Sequence, residues 1–377
     1  MRITKIWLSN AGGGYPAGVS RSTHVNSPAS PSRPAEHSPG GRWRGALLGA
    51  GAAALLAIGA LSAACSTASA ARSGSTRLAS PTPAARPRPP ERLPVGTIGR
   101  YSVAEQTLRL VDRSRVRLGP RALPTTVWYP VIPAAAAASG RLARGLFPLV
   151  VFAPGFAQCG GSYGSLLRTW ATAGYVVAAA DFPRTNCHLA HPDENDLVHQ
   201  PADMAYVIRQ LLAVSGQSRG LLAGLVDPGK IAAAGQSDGG DTVAALAANT
   251  CCRDRAITAA IVLAGAEWPP LGGSYFTQAT PPILFVQGDS DSINPPAASM
   301  MMYQADRTGP RFYLDLFGAD HLAPYEGQGP PEPVVARVTV DFLDRYLAGS
   351  PGAAAAMQRD GDVAGVATLV SGSRLPP

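Results

Sequence analysis

The chain has 377 residues, 32 basic against 25 acidic, for a net charge of +7. Residues 1–95 carry 11 basic and 2 acidic side chains, residues 96–348 carry 19 and 21, and residues 349–377 carry 2 and 2. The basic excess therefore belongs to the N-terminal segments, which removes nucleic-acid binding as a reading of the charge and leaves about 250 residues for one domain with a sizeable core.

Residues 45–64 are uncharged and apolar, preceded by Arg42-Trp43-Arg44 and ending in small residues before Cys65. Basic start, apolar centre and small residues ahead of a cleavage point are the layout of an export signal, here spanning residues 1–65 with a long basic region. The small residues before Cys65 resemble a bacterial lipobox, which would place lipid on Cys65 and hold the protein at a membrane. Cleavage after Ala70, and retention of the apolar stretch as a short membrane anchor, are the alternatives. Residues 66–95 are rich in Pro, Ala, Ser and Arg with no hydrophobic period, so they read as an extended linker. The expected location is the cell envelope or the medium.

Residues 96–348 alternate between two patterns. Residues 103–111 and 125–129 predict an antiparallel pair that begins a sheet. Apolar runs at 149–152, 176–180, 231–234, 259–263 and 283–286 read as buried parallel strands. Helical stretches separate them at 165–173, 202–214, 242–248 and 297–305, and a last helix over 334–347 places Val334, Val338, Phe342 and Tyr346 on one face. The expected fold is α/β, a doubly wound, mostly parallel sheet with helices on both faces. Residues 349–377 are rich in Gly and Ala and read as a loose tail.

Four cysteines follow Cys65: Cys159, Cys187, Cys251 and Cys252. Outside the cytoplasm an even count suggests disulfides. The loops after neighbouring parallel strands lie side by side, which pairs Cys159 with Cys187. Cys251 and Cys252 either form a vicinal bridge or stay free. These cysteines with His188 and His191 have no recognisable metal-ligand spacing, and neither metal nor cofactor is expected.

The most informative motif is Gly235-Gln236-Ser237-Asp238-Gly239, between an apolar strand and an Ala-rich helix. Strand, sharp turn and helix is the setting of a nucleophile elbow, in which only small residues fit two positions either side of the serine. A second copy, Gly160-Gly161-Ser162-Tyr163-Gly164, follows a loop instead of a strand, so Ser162 reads as a loop or helix-capping residue. A serine hydroxyl needs a histidine base, and the base needs a carboxylate. Of six histidines only His321 lies downstream of Ser237, just after a strand-like run over 312–317. The acid should follow the strand at 283–286. Asp291, further out on the loop, is favoured over Asp289, which reads as a turn residue; Asp320 adjoins His321 in sequence and is poorly placed to face it. The oxyanion donors expected are the backbone N–H groups of Asp238 and of Phe156, in the loop Pro154-Gly155-Phe156-Ala157.

With these residues assembled, residues 95–347 resemble secreted α/β-hydrolases of the group that includes dienelactone-hydrolase-like, platelet-activating-factor-acetylhydrolase-like and polyester-hydrolase-like enzymes. The matching segments are residues 124–130, 151–156, 174–178, Gln200-Pro201-Ala202-Asp203, the elbow, 288–295 and 318–321. The resemblance implies an α/β-hydrolase fold and, from polyester hydrolases, aromatic walls to the acyl site at Phe156 and Trp268. Two positions depart from the pattern: Pro154 stands where many relatives have His, and Asp238 where polyester hydrolases have Met or another apolar residue.

The expected activity is hydrolysis of a carboxylic ester through Ser237, His321 and Asp291 and an acyl-enzyme, on a small-molecule, lipid or polymer substrate. An acyltransferase with the same three residues, and an inactive surface-anchored binding protein on the same fold, are the rival readings.

Overall fold

The computed structural model describes residues 91–131 and 145–372. The expected export signal, Cys65 and residues 66–90 of the expected linker lie outside the described residues. Ten strands form one sheet: β1 (Glu91–Arg92), β2 (Ser102–Asp112), β3 (Arg121–Val131), β4 (Gly145–Ala153), β5 (Val176–Ala180), β6 (Val226–Gln236), β7 (Ala259–Leu263), β8 (Ile283–Gly288), β9 (Arg311–Leu316) and β10 (Ala367–Ser371). Their order is β10-β9-β8-β7-β6-β4-β5-β3-β2, and β1 pairs with the start of β4. The run from β9 to β5 is parallel throughout. Antiparallel strands close both ends, β3 and β2 on one side and β10 on the other.

The central strands are apolar on both faces because helices cover both. In β4, Val150 and Phe152 enter one core while Leu149 and Val151 enter the other, as the two-residue strand period requires. The first core is closed by α1 (Gly164–Thr172) through Leu166, Leu167 and Trp170, and by α5 (Glu332–Leu343) through Val335, Val338 and Phe342. The second is closed by α2 (Gln200–Ser215), α3 (Asp238–Ala248) and α4 (Pro296–Ala305), through Met204, Val207, Val243, Leu246 and Met302. Every residue of α3 is buried, which its Gly and Ala content permits: small side chains let its backbone approach β6 and β7 closely.

Two expectations about the domain's limits are corrected. Residues 349–372 are not a loose tail. They form α6 (Ala353–Gly361), which buries Met357, and then β10, which pairs along β9 and buries Ala367 and Leu369. At Gly361 a Cβ would come within 2.7 Å of the Leu369 side chain, so glycine there serves packing. At the other end, residues 91–95 are not linker. Arg92 pairs with Asp227 at 2.7 Å, the Tyr101 hydroxyl donates to the Pro94 carbonyl at 2.6 Å, and β1 joins β4. The proline-rich composition runs on past the point where the chain enters the fold. No described helix is long and apolar enough to cross a membrane.

A buried ion cluster ties the β2–β3 hairpin to α2. Arg121 donates to Asp196 at 2.8 and 2.6 Å and to Asp203 at 2.6 Å, and Arg115 also reaches Asp203. Burial pushes the Arg121 guanidinium toward losing its proton, but its bonds to Asp196 and Asp203 outweigh that and hold it fully charged. Asp203 therefore has a structural partner, and Gln200, one turn earlier, bonds Thr185 and Thr242.

Candidate active site

β6 is the middle of the sheet and Ser237 stands at its C-terminal end, where β6 turns into α3. Its backbone has φ 56° and ψ −123°, a conformation that a side chain with a Cβ adopts only under constraint. The constraint is close packing of three backbones. A Cβ at Gly235 would fall on the carbonyl of Gly239, and one at Gly239 on the carbonyl of Ala153 at the end of β4. The Ser237 N–H donates to the Leu263 carbonyl at 2.9 Å, which pins the turn to β7 as well.

The hydroxyl of Ser237 lies 2.9 Å from His321 Nε2, and His321 Nδ1 lies 2.7 Å from Asp291 Oδ2. An ionised carboxylate only accepts, so Nδ1 carries the proton and Nε2 is left to accept from the serine. All three side chains are buried. Asp291 is held by four donors: His321 and the Gln287 amide at Oδ2, and the N–H groups of Ile293 and Asn294 at Oδ1, each at 2.9 Å or less. Burial pushes its carboxyl up, but the bond and charge of His321 with those two N–H groups outweigh burial and hold it below the usual range. Asp289 is exposed and accepts instead from the Gly318 N–H at 2.7 Å. Asp320 turns away from the ring and accepts the N–H groups of Leu322 and Ala323 at 3.0 and 2.8 Å.

Sheet order puts the loops after β4 and β7 on either side of Ser237. In the β4 loop the N–H of Gly155 donates to the Tyr163 hydroxyl at 3.2 Å and that of Ala157, at φ 57°, to the Thr185 carbonyl at 2.8 Å. Phe156 sits between them, and among the described residues nothing accepts its N–H. Asp238 opens α3 as a buried residue. Phe156 and Trp268 both remain partly exposed on these flanking loops, and the backbone N–H of Trp268 donates to the Tyr275 hydroxyl at 3.2 Å.

The β4 loop is fastened from behind. Cys159 and Cys187 form a disulfide, with Cα atoms 5.3 Å apart, that joins it to the loop after β5. The Gly160 N–H donates to Asp181 at 3.0 Å. Gln200 then donates to Thr185 at 3.0 Å and accepts from Thr242 of α3 at 2.7 Å, which connects the same loop to the helix behind Ser237. Cys251 and Cys252 are also bonded to each other. Among the described residues the one His, Cys, Asp and Glu group with metal-ligand spacing is Cys159, Cys187 and His188, whose two sulfurs are joined in the disulfide. Ser162, in the second Gly-x-Ser-x-Gly copy, lies in a short 3-10 turn and donates to Gln158 at 2.7 Å.

Sequence reasoning passed over Gln236, Gln287 and Tyr163. Gln236 follows the apolar run 231–234 and Gly235, Gln287 follows the apolar run 283–286, and the break in hydrophobicity at the C-terminal edge of the sheet is the signal that marks each.

Among curated proteins, none matches the chain. Residues 124–351, more than half of the chain, match the family described as PETase, PET hydrolase-like. That span contains the elbow, the loop after β4, Asp291 and His321, and the doubly wound sheet is the fold of that family. The chain belongs to the PETase (PET hydrolase-like) family of α/β-hydrolase ester hydrolases.

Proposed function

We propose that the protein is a serine carboxylic ester hydrolase that works outside the cytoplasm through an acyl-enzyme. The observation that carries this reading is the buried chain Ser237 Oγ, His321 Nε2, His321 Nδ1, Asp291 Oδ2, with contacts of 2.9 and 2.7 Å. His321 takes the proton of Ser237 as its oxygen attacks the ester carbonyl. Asp291 holds the ring in the tautomer with a free Nε2 and stabilises the imidazolium that follows. The carbonyl oxygen becomes an oxyanion against the N–H groups of Phe156 and Asp238. The tetrahedral adduct collapses, the C–O bond to the alcohol breaks, and His321 returns the proton to the departing alkoxide. Water, activated by the same Nε2, then cleaves the acyl-serine ester and regenerates the hydroxyl.

The substrate enters between the loops that carry Phe156 and Trp268, a family feature assigned here to these two residues. Two disulfides and the export-type leader support a site of action beyond the cytoplasm. The test is a panel of p-nitrophenyl esters and a fluorophosphonate probe on the wild-type protein and on Ser237→Ala. Hydrolysis and covalent labelling in the first and neither in the second are expected. Labelling that persists in Ser237→Ala and disappears in Ser162→Ala would overturn the assignment.

A further inference from the structure

The residue inside the elbow, Gln236, makes contacts that the Ser–His–Asp chain does not require. It is fully buried at the end of β6. Its side-chain carbonyl accepts from the Tyr163 hydroxyl at 2.8 Å, and its amide donates to the His321 carbonyl at 2.9 Å and stands 3.3 Å from His321 Nε2. Tyr163, also fully buried, accepts in turn from the Gly155 N–H at 3.2 Å. The direction of this network is fixed by its ends. A backbone N–H donates at Gly155 and a backbone carbonyl accepts at His321, so the Tyr163 proton points to the Gln236 oxygen and the amide N–H points to His321. Burial pushes the Tyr163 hydroxyl well above its usual range, so it stays a neutral donor.

We propose that Gln236 is a positioning residue that couples the oxyanion loop to the histidine base, through Tyr163 on one side and the His321 backbone on the other. This rests on the hydrolase reading above. Gly155 immediately precedes Phe156, whose N–H is the proposed oxyanion donor. His321 is the proposed base. Gln236 immediately precedes Ser237. One planar amide thus fixes the donor, the base and the nucleophile relative to each other. It is also packed against the oxyanion loop directly: a Cβ at Gly155 would lie 2.8 Å from Gln236 Oε1, so the loop passes this side chain with no space between. An apolar side chain of similar length would fill the volume but leave the Tyr163 hydroxyl and the His321 carbonyl without these partners, at a fully buried position. The Gln236 amide makes its shorter bond to the His321 carbonyl and stands 3.3 Å from Nε2, so it acts on the reaction through the placement of the His321 ring and of Phe156.

The test is a double-mutant cycle in the full-length protein with Gln236→Met and Tyr163→Phe, reading kcat and KM separately and following thermal unfolding of each variant. Misplacement of reacting groups by a fraction of an ångström is expected to lower kcat of Gln236→Met by roughly 10- to 100-fold with KM within about twofold. Tyr163→Phe, which removes one hydroxyl at the far end, is expected to lower kcat by less. The double variant is expected to be no slower than Gln236→Met alone, because both changes cut one network. A wild-type kcat in a folded Gln236→Met overturns the proposal, as do losses that multiply independently in the double variant. If Gln236→Met does not fold, Tyr163→Phe decides: a lower kcat at unchanged KM supports the coupling, and an unchanged kcat overturns it. Ser237→Ala separates the two claims. An inactive wild type or a fully active Ser237→Ala removes the hydrolase reading and this inference together, whereas an active wild type and a dead Ser237→Ala with unaffected Gln236→Met removes this inference alone.

Discussion

Asp291 accepts from the His321 ring at 2.7 Å, while Asp289, two residues earlier on the same loop, bonds the Gly318 N–H instead. The two carboxylates thus divide the loop between them: one faces the base, the other closes the neighbouring turn. Asp291→Asn turns an acceptor-only group into an amide that can donate to Nδ1, which favours the wrong tautomer and leaves Nε2 protonated against the serine. The expected loss is roughly 10³- to 10⁴-fold in kcat. Asp289→Asn keeps an oxygen to accept from Gly318, so kcat should stay within a few-fold of wild type. Steady-state kinetics of both variants on one p-nitrophenyl ester checks this, and comparable losses in the two would reject the division of roles.

The disulfide between Cys159 and Cys187 closes a loop of 28 residues between the segments that follow β4 and β5. By the chain-entropy account such a closure is worth about 3–4 kcal/mol of stability. Cys159→Ser/Cys187→Ser should therefore unfold at a clearly lower temperature than wild type and lose some kcat, because the β4 loop then keeps hydrogen bonds such as Ala157–Thr185 and Gly160–Asp181 but loses its covalent tie to the loop after β5. The adjacent pair Cys251 and Cys252 closes no such loop, so Cys251→Ser/Cys252→Ser should shift the midpoint far less. Calorimetry on the two double variants, each with an activity assay, distinguishes them. A larger shift from the adjacent pair would be the contrary result.

The sheet was legible because each central strand is an apolar run bounded by turn residues, and both faces being covered removes any need for alternation. The Ser237, His321 and Asp291 contacts were legible because elbow chemistry and chain order leave few choices. The C-terminal helix and β10 were not, since Ala353 to Ala356 fill most of the first turns of α6 and alanine gives little hydrophobic contrast. Arg121 and Asp203, 82 residues apart, leave no local pattern at all. Gln236 escaped for a different reason: it occupies the position in Gly-x-Ser-x-Gly that the motif treats as free, and its partners come from β4's loop and from the loop after β9.

If residues 1–65 are an export signal and lipid on Cys65 is the anchor, Cys65→Ala should move the protein from the membrane fraction to the soluble or secreted one. Fractionation with mass spectrometry of the mature N-terminus tests this. An N-terminus at Ala71 would assign ordinary cleavage, a retained apolar stretch would assign a membrane anchor, and a cytoplasmic protein with intact Met1 would defeat export in every form.

The C-terminal segment should also make stability depend on pH. Burial pushes the Asp341 carboxyl up, and the nearby Asp360 carboxylate, with which it shares a hydrogen bond, adds to the rise, to about 7 from an ordinary 3.8. Asp341 lies on α5 and Asp360 on α6, so the two carboxyls act on each other across the two helices. Between those two values the folded protein holds a proton that the unfolded chain has given up. Stability must therefore fall as pH rises from about 4 to about 7 and be flat on either side as far as this group is concerned. Asp344, Asp315, Glu267 and Glu326 are also raised, chiefly by burial, and act with the same sign. Asp341→Asn supplies an uncharged partner to Asp360 at every pH and isolates the one contribution. The expected result is a higher unfolding midpoint at pH 5 than at pH 8 in wild type, and a smaller difference in Asp341→Asn, arising mainly from a gain at pH 8. An Asp341→Asn protein with the wild-type pH dependence would show that the α5–α6 contact holds no proton.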